Sequence, residues 1–188
     1  MPRWKPDAVE RLHTAALELF DEQGFERTTV AEIAQRAGLT PRSFFNHFAD
    51  KREVLFGLSA ELQRELVREI EEGDDTTPPL DAVVRAMGVV ADKMFESRRA
   101  LVTRRLAVVA ANPELQEREL GKNAALTDAI AAALQDRGCT PDTALLAAGA
   151  AMLAQQAAFR TWAQPGETRP LRDLLPAALH ALRATVTS

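Results

Sequence analysis

Residues 28–53 constrain the fold of this chain more than any other segment, because they contain start and stop signals for two short helices joined by a tight turn. Thr29 followed three positions later by Glu32 is a capping box, which predicts a helix that begins near Val30. Gly38 provides the positive φ that ends this helix and turns the chain. The first of the two helices is therefore bounded on both sides by its own sequence.

The second short helix follows the turn directly. Thr40 is an N-cap residue and Pro41 suits the first helical position, so the pattern predicts a helix from about Pro41 to Phe48. Phe44 and Phe48 form its apolar side. Two helices joined by a tight glycine turn are the supersecondary unit with which many proteins read DNA.

The rest of the chain also has helical spacing. Asp50 and Glu53 are a further capping pair, which predicts a long helix from Lys51 to about Glu72. Other helices are predicted over residues 7–23, 80–96, 99–111, 114–137, 142–163 and 171–186. No segment alternates as a strand would, so the predicted fold class is all-α.

Composition sets limits on the class of protein. The 188 residues, 46% of them hydrophobic, are enough for a packed core. The single cysteine, Cys139, allows no disulfide within the chain, and no apolar run approaches the about 18 residues of a membrane span. With no visible signal peptide, these features predict a cytoplasmic protein.

A net charge of −4 argues, taken alone, against a nucleic-acid partner. Any basic surface must therefore come from a local arrangement of side chains. The candidate residues for such a surface are Arg3, Lys5, Arg42, Lys51 and Arg52.

Signals for catalysis are weak. His13, His47 and His180 are far apart in the sequence, and none belongs to a metal-ligand spacing such as HExxH. The chain has no phosphate-binding GxxxxGK[ST] loop and no GxSxG nucleophile motif. Cys139 lies in a predicted loop, where a lone cysteine is more often incidental than a redox sensor. We expect no enzyme, no metal and no cofactor.

The N-terminal pattern resembles the DNA-binding domain of the tetracycline-repressor (TetR) family of transcription regulators. The residues that carry the resemblance are Thr28, Ile33, Ala34, Ala37, Gly38, Phe44, Phe45, His47, Phe48 and Lys51, with Arg52 in place of the usual glutamate. Residues 113–138 are similar to the C-terminal domain of mycofactocin-regulator-like members. The resemblance implies a three-helix DNA-binding domain at residues 1–50 and a helical ligand-binding and dimerisation domain at residues 51–188.

The recognition helix supplies the expected DNA contacts. Arg42 and Ser43 lie in its first turn, where Arg42 suits a guanine edge and Asn46 an adenine edge, although Arg42 also suits a phosphate. Phosphate contacts are expected from Thr28, Thr40, His47 and Lys51. For His47 the alternative is an ordinary histidine at a helix end.

Phe45 lies where many relatives have tyrosine, and the chain contains no tyrosine. The phosphate bond of a tyrosine hydroxyl is therefore lost. Three alternatives remain for the ring: contact with a thymine methyl group, contact with a sugar, or a place in the core.

The resemblance also implies a cavity for a small-molecule effector in the C-terminal domain. The expected lining residues are Leu58, Leu62, Met87, Val90, Met94, Phe95, Leu106 and Phe159, with Trp162 as a further candidate. The alternative is that these residues are ordinary core. An arginine cluster at 98, 99, 104 and 105 suits an acidic ligand head, or is simply a solvated helix face.

The last two helices have the composition of a dimer interface. Their large apolar residues are Leu145, Leu146, Met152, Leu153 and Phe159 in one helix, and Leu174, Leu175, Leu179 and Leu182 in the other. The alternative is internal core. A dimer with two recognition helices would read a palindromic operator on double-stranded DNA.

Taken together, these features predict a homodimeric, ligand-responsive transcriptional repressor. The alternative is a helical dimer that carries a ligand or docks a protein and no longer grips DNA, which the acidic balance and the absent tyrosine favour.

Overall fold

A computed structural model describes residues 8–186, which form nine α-helices, two short 3-10 helices and no strand. The α-helices are α1 (Ala8–Gln23), α2 (Val30–Arg36), α3 (Pro41–Phe45), α4 (Ser59–Glu71), α5 (Pro79–Met94), α6 (Arg99–Ala111), α7 (Pro113–Asp136), α8 (Pro141–Trp162) and α9 (Leu171–Val186). The predicted all-α fold class is confirmed. Within the described part, no helix combines the length and apolar character that crossing a membrane requires.

The chain divides into two compact units. Of the described residues, the first contains 8–59 together with Ala100–Glu119, and the second contains Ala60–Arg99 and 120–186. Residues 51–59 and 100–119 are predicted to belong to the C-terminal domain, whereas contacts group them with the N-terminal helices. The functional domain boundary at residue 50 stays a prediction.

The core of the first unit is built from the apolar faces of α1 to α3. Leu12 and Leu17 of α1, Ile33 of α2 and Phe44 of α3 are completely buried. Because Leu12, Ala16 and Leu19 recur at helical spacing, α1 presents a continuous apolar side to α2. The three helices are thus held by one shared core.

The predicted caps of α2 and α3 are confirmed. The Thr29 hydroxyl accepts a hydrogen bond from the Glu32 amide at 3.2 Å, and the Glu32 carboxylate accepts one from the Thr29 amide at 2.8 Å. Gly38 has φ +67°, and Thr40 caps α3 through the Ser43 amide at 3.1 Å.

Two expected helix bounds were wrong. α3 ends at Phe45 instead of Phe48, and the predicted helix from Lys51 to Glu72 is divided into a 3-10 turn, Glu53–Phe56, and α4. Val54, Leu55 and Phe56 are all buried, which a helix with one solvent-exposed side does not allow. At Gly57 a Cβ would lie 2.7 Å from the Phe48 ring, so the chain passes too close to that ring for any larger residue.

The second unit is a bundle in which α5, α8 and α9 pack against one another. The buried side of α8 consists of Ala144, Ala147, Ala148, Ala151, Ala154, Ala158 and Trp162. Alanine side chains let helix axes approach closely, so the alanine-rich composition of α8 is explained by its packing. Leu171 and Leu175 of α9 are buried against this bundle.

Candidate nucleic-acid interface and apolar cleft

The exposed face of α3 is the first candidate site. Arg42, Phe45 and Asn46 are all exposed, and their spacing of three and four residues places them on one side of the helix. Phe44 is completely buried and Phe48 is 5% exposed, with their ring centroids 5.4 Å apart. The buried phenylalanines anchor α3 in the core while the opposite side faces solvent.

Three further predicted residues lie beside this face. Thr40 and His47 are exposed and Ser43 is half-buried. The hydroxyls of Thr40 and Ser43 lie 2.9 Å apart and are hydrogen-bonded to each other. The structure therefore brings together six of the eight residues predicted to contact DNA, and we call this set the α3 face: Thr40, Arg42, Ser43, Phe45, Asn46 and His47.

Thr28 lies inside the unit and not on the α3 face. Thr28 is only 2% exposed, and its hydroxyl donates to the carbonyl of Gly24 at 2.9 Å. The side-chain amide of Gln23 donates to the same hydroxyl at 3.3 Å. This threonine ties the end of α1 to the start of α2.

Lys51 is also engaged within the protein. Its ammonium donates to the carbonyls of Phe25 at 2.7 Å, Glu26 at 3.1 Å and Thr28 at 3.2 Å. The same nitrogen lies 4.3 Å from the centroid of the Phe25 ring, a cation–π contact. Three carbonyls saturate the three donors of an ammonium group, so Lys51 acts as a clamp on the α1–α2 connection.

Of the five candidates for a basic surface, Arg3 and Lys5 fall outside the described residues. Arg52 pairs with Asp50 at 2.9 Å, and Lys51 is held as described above. Among residues 8–186, Arg42 is the one candidate whose guanidinium has no hydrogen-bonding or acidic partner. The positive charge available on the α3 face is therefore that of Arg42.

Asp50 caps the segment that follows α3. Its carboxylate accepts from the amides of Arg52 at 2.8 Å and Glu53 at 3.0 Å. Burial raises the pKa of this carboxyl, but hydrogen bonds from the Arg52 guanidinium and these two amides outweigh it and hold the pKa below 3.8. The Glu53 carboxylate pairs with Arg118. The pair of Glu53 and Arg118 could not be predicted from the residues around Glu53, because Arg118 is distant in the sequence.

An apolar cleft is the second candidate site, and it lies within the second unit. Its lining residues are Leu62, Leu66, Met87, Val90, Phe95, Gln155, Phe159, Leu171 and Leu175. The enclosed space measures only about 10 Å³, which is room for about one water molecule. The cleft is therefore closed in this conformation.

Five of the eight predicted cavity residues line this cleft, namely Leu62, Met87, Val90, Phe95 and Phe159. Leu58 and Leu106 belong to the first unit, and Met94 is half-buried outside the lining. Trp162 is 1% exposed and packs edge-on to Phe159, with ring centroids 5.7 Å apart.

Four lining residues were missed. Leu66 follows Leu62 by one helical turn and Leu175 follows Leu171 in the same way, so helical spacing contained a signal for these leucines. The sequence contained no signal for Gln155, because a polar side chain is not expected in the lining of an apolar cavity.

The arginines expected to meet an acidic ligand head are engaged elsewhere. Arg99 donates to the Trp162 carbonyl at 2.7 Å, and Arg104 pairs with Asp21 at 2.7 Å. Arg105 donates to the Leu55 carbonyl at 2.7 Å and pairs with Glu119 at 2.5 Å. Arg98 and Arg99 belong to the second unit, and Arg104 and Arg105 belong to the first.

One side of α8 carries exposed leucines. Leu145, Leu146 and Leu153 are 56%, 72% and 59% exposed, and we call these three the leucine stripe. The predicted interface residues of α9 lie mostly inside the bundle, since Leu174, Leu175 and Leu179 are buried and Leu182 is half-buried. Of α8 and α9, α8 is therefore the helix that leaves large apolar side chains exposed.

Comparison with known proteins places these features in a family. Residues 12–58 match the family model described as bacterial regulatory proteins, tetR family, and residues 77–187 match the MftR C-terminal domain. The transcriptional regulator TcmR of Streptomyces glaucescens is 35% identical over 85 residues, which cover 45% of this chain and 38% of TcmR. UidR of Escherichia coli K12, also named a transcriptional regulator, is 23% identical over 126 residues, which cover 67% of this chain and 64% of UidR.

A solved structure with the same fold is that of Thermus thermophilus FadR, a TetR-family transcriptional repressor in complex with lauroyl-CoA. It is 28% identical, covers 93% of both chains and has a TM-score of 0.55. The two family models divide the sequence between them, and the second alone spans more than half of it. The chain therefore belongs to the TetR family of bacterial regulatory proteins, with a C-terminal domain of the MftR type.

Proposed function

We propose that this protein is a homodimeric transcriptional repressor, which binds a palindromic DNA operator and is released from it by a small apolar or acyl ligand. The observation that carries the proposal is the α3 face, on which Arg42, Phe45 and Asn46 share one exposed side of a helix anchored by buried phenylalanines. Relatives named as transcriptional regulators support the same function.

On the α3 face we assign base contacts to Arg42 and Asn46. A free guanidinium suits the two acceptors of a guanine edge, and a carboxamide suits adenine. We assign phosphate contacts to Thr40, Ser43 and His47, which lie beside this pair. Thr28 and Lys51 support the unit from within, so we leave them out of the interface.

The first test is selection of bound duplexes from a random DNA library with the purified protein. We expect an enriched palindrome whose affinity falls steeply as salt rises. Arg42→Ala should weaken binding by about 1 to 3 kcal/mol and relax one base preference. Arg64, an exposed arginine of α4, provides the matched control, and Arg64→Ala should leave affinity unchanged.

Two outcomes contradict this assignment. If Arg42→Ala weakens binding equally on every sequence, the residue contacts phosphate and not a base. If a dimeric protein enriches no sequence at all, the repressor proposal is wrong and the helical ligand-carrying alternative gains support.

The dimer is proposed from the leucine stripe. Three exposed leucines on one helix are a liability for a monomer, whereas a second copy would remove them from water. Dimerisation also matters for DNA binding, because two recognition helices about 34 Å apart read half-sites one helical turn apart.

The ligand is proposed to bind in the apolar cleft by opening it. Eight of its lining side chains are apolar and Gln155 is the exception, so a largely apolar molecule fits the chemistry. A closed cleft favours a switch, since a ligand that binds only the open form shifts the population towards that form. Moving the equilibrium from 1:99 to 99:1 requires a preference of about 5.5 kcal/mol.

Release from the operator tests the cleft. We would add lauroyl-CoA, dodecanoate and 1-dodecanol in turn and follow the anisotropy of a labelled operator. Leu62→Gln places a polar amide in the apolar lining without filling the cleft, and should weaken release while operator affinity is retained. Leu120→Gln is the control, because Leu120 is 70% exposed and lies outside the lining. If Leu62→Gln responds as the parent protein does, the effector binds elsewhere.

A further inference from the structure

Phe45 is the large apolar side chain that α3 leaves in solvent. It is 58% exposed, whereas Phe44 is fully buried and Phe48 is 5% exposed. The structure therefore excludes a place in the core for Phe45. Apolar surface left in water on a proposed binding face is surface that a partner is expected to cover.

The ring of Phe45 is held in a defined position. It meets the buried Phe44 ring edge-on, with centroids 5.6 Å apart and planes at 81°. This geometry is the one that aromatic pairs prefer. Phe45 lies three residues after Arg42, which places the two side chains on one side of the helix, so the ring lies beside a side chain assigned to a base.

Base chemistry limits what such a ring can contact favourably. Guanine, adenine and cytosine present hydrogen-bond donors and acceptors to the major groove, and a phenyl ring would displace their water without replacing its hydrogen bonds. Thymine also presents a C5-methyl group, which is apolar. A phosphate contact is excluded for Phe45, because the ring has no hydrogen-bond donor.

We propose that Phe45 is a specificity-determining residue, which reads the C5-methyl group of a thymine in the same half-site as the bases contacted by Arg42 and Asn46. The inference rests on the proposed function, since it names one chemical group of the DNA that the α3 face recognises. It predicts that each half-site of the operator contains a thymine whose methyl group, and not only its base pairing, contributes to affinity.

The test replaces single thymines of the selected operator by uracil, which removes the methyl group and changes nothing else. Each replacement is made at the same position in both half-sites. At one position affinity should fall about fourfold for each half-site, which corresponds to the burial free energy of one methyl-sized group. 5-Bromouracil at the same position restores a substituent of similar size and should restore affinity. The protein is unchanged in this experiment, so folding is not in question.

Protein variants then assign the effect to Phe45. Phe45→Ala should bind the thymine and uracil operators equally, and Phe45→Leu, which retains an apolar side chain, should keep part of the discrimination. Leu120 of α7 is an apolar residue at 70% exposure, and Leu120→Ala should discriminate as the parent protein does.

A uracil scan that leaves affinity unchanged at every thymine would overturn the inference, and would point to a sugar contact if Phe45→Ala nevertheless weakens binding. Discrimination that survives in Phe45→Ala would overturn it as well. These results leave the repressor proposal intact, because an operator is still bound. Failure to enrich any operator would instead overturn both.

Discussion

Lys51 of the first unit is predicted to contact phosphate and is also engaged within the fold. Its ammonium is enclosed by three carbonyls of the α1–α2 connection. Lys51→Met keeps the aliphatic stem and removes the charge, and should lower the free energy of unfolding by about 2 kcal/mol, as for a charged hydrogen-bonding group. Urea denaturation measures this loss.

The salt dependence of operator binding separates the two roles of Lys51. If the clamp is its whole role, the slope of log affinity against log salt is the same in Lys51→Met and in the parent protein. A phosphate contact would instead reduce the slope by about one. If Lys51→Met reduces the slope in this way and leaves the free energy of unfolding unchanged, Lys51 contacts phosphate and is not a clamp.

Asp50 makes the stability of the first unit depend on pH. Its pKa is held below 3.8 in the folded protein, because the Arg52 guanidinium and two amides bind the ionised carboxylate more strongly than burial opposes ionisation. The resulting stabilisation is present above pH 3.8 and is lost as the pH falls through the folded-state pKa.

Asp50→Asn keeps an oxygen that can accept from the two amides and removes the charge that pairs with Arg52. We expect this variant to be less stable than the parent protein at pH 7, with a difference that shrinks as the pH is lowered below 3.8. Urea titrations at both pH values measure the two differences. A difference that is the same at both would mean that the carboxylate charge contributes nothing.

The α2–α3 turn depends on the backbone conformation of one residue. Gly38 has φ +67°, and a Cβ there would lie 2.9 Å from a guanidinium nitrogen of Arg11. Gly38→Ala should therefore lower the free energy of unfolding by about 1 to 2 kcal/mol, the cost of a left-handed conformation for an L-residue. The same turn sets the position of α3, so operator affinity should fall too.

Gly121 is the matched control for this turn. It lies inside α7, and no heavy atom of the described residues lies within 4 Å of the position its Cβ would take, backbone of its own helix apart. Gly121→Ala should raise the unfolding free energy by about 0.5 to 1 kcal/mol, because alanine loses less backbone entropy in a helix. Thermal unfolding of both variants decides whether conformation, and not simply an added methyl group, explains the loss at Gly38.

Helix ends with local signals could be predicted from the sequence, whereas contacts between distant segments could not. The bounds of α2 followed from the Thr29 cap and from Gly38, and those of α6 were predicted correctly. The break before α4 was missed because Val54, Leu55 and Phe56 are all buried in a core shared with distant residues, which no local pattern encodes. The internal partners of Thr28 were missed for the same reason, since its hydroxyl reaches carbonyls of α1 and the turn after it.

Assembly of two copies is the property on which reading a palindrome depends. Leu146 and Leu153 are two helical turns apart on α8 and are 72% and 59% exposed, so they lie on one side of the helix. A charge at both positions would be buried without a partner in a dimer interface, but would remain hydrated in a monomer. The double variant Leu146→Glu, Leu153→Glu should therefore be monomeric and correctly folded.

Leu120→Glu provides the control, because Leu120 is 70% exposed but lies on α7, outside the leucine stripe. Sedimentation equilibrium should show a dimer for the parent protein and for this control, and a monomer for the double variant. Operator affinity should fall with dimerisation, since a single recognition helix holds only one half-site. If the double variant remains dimeric, another surface forms the interface; if it is monomeric and still binds the full palindrome with parental affinity, dimerisation does not provide the recognition that we propose.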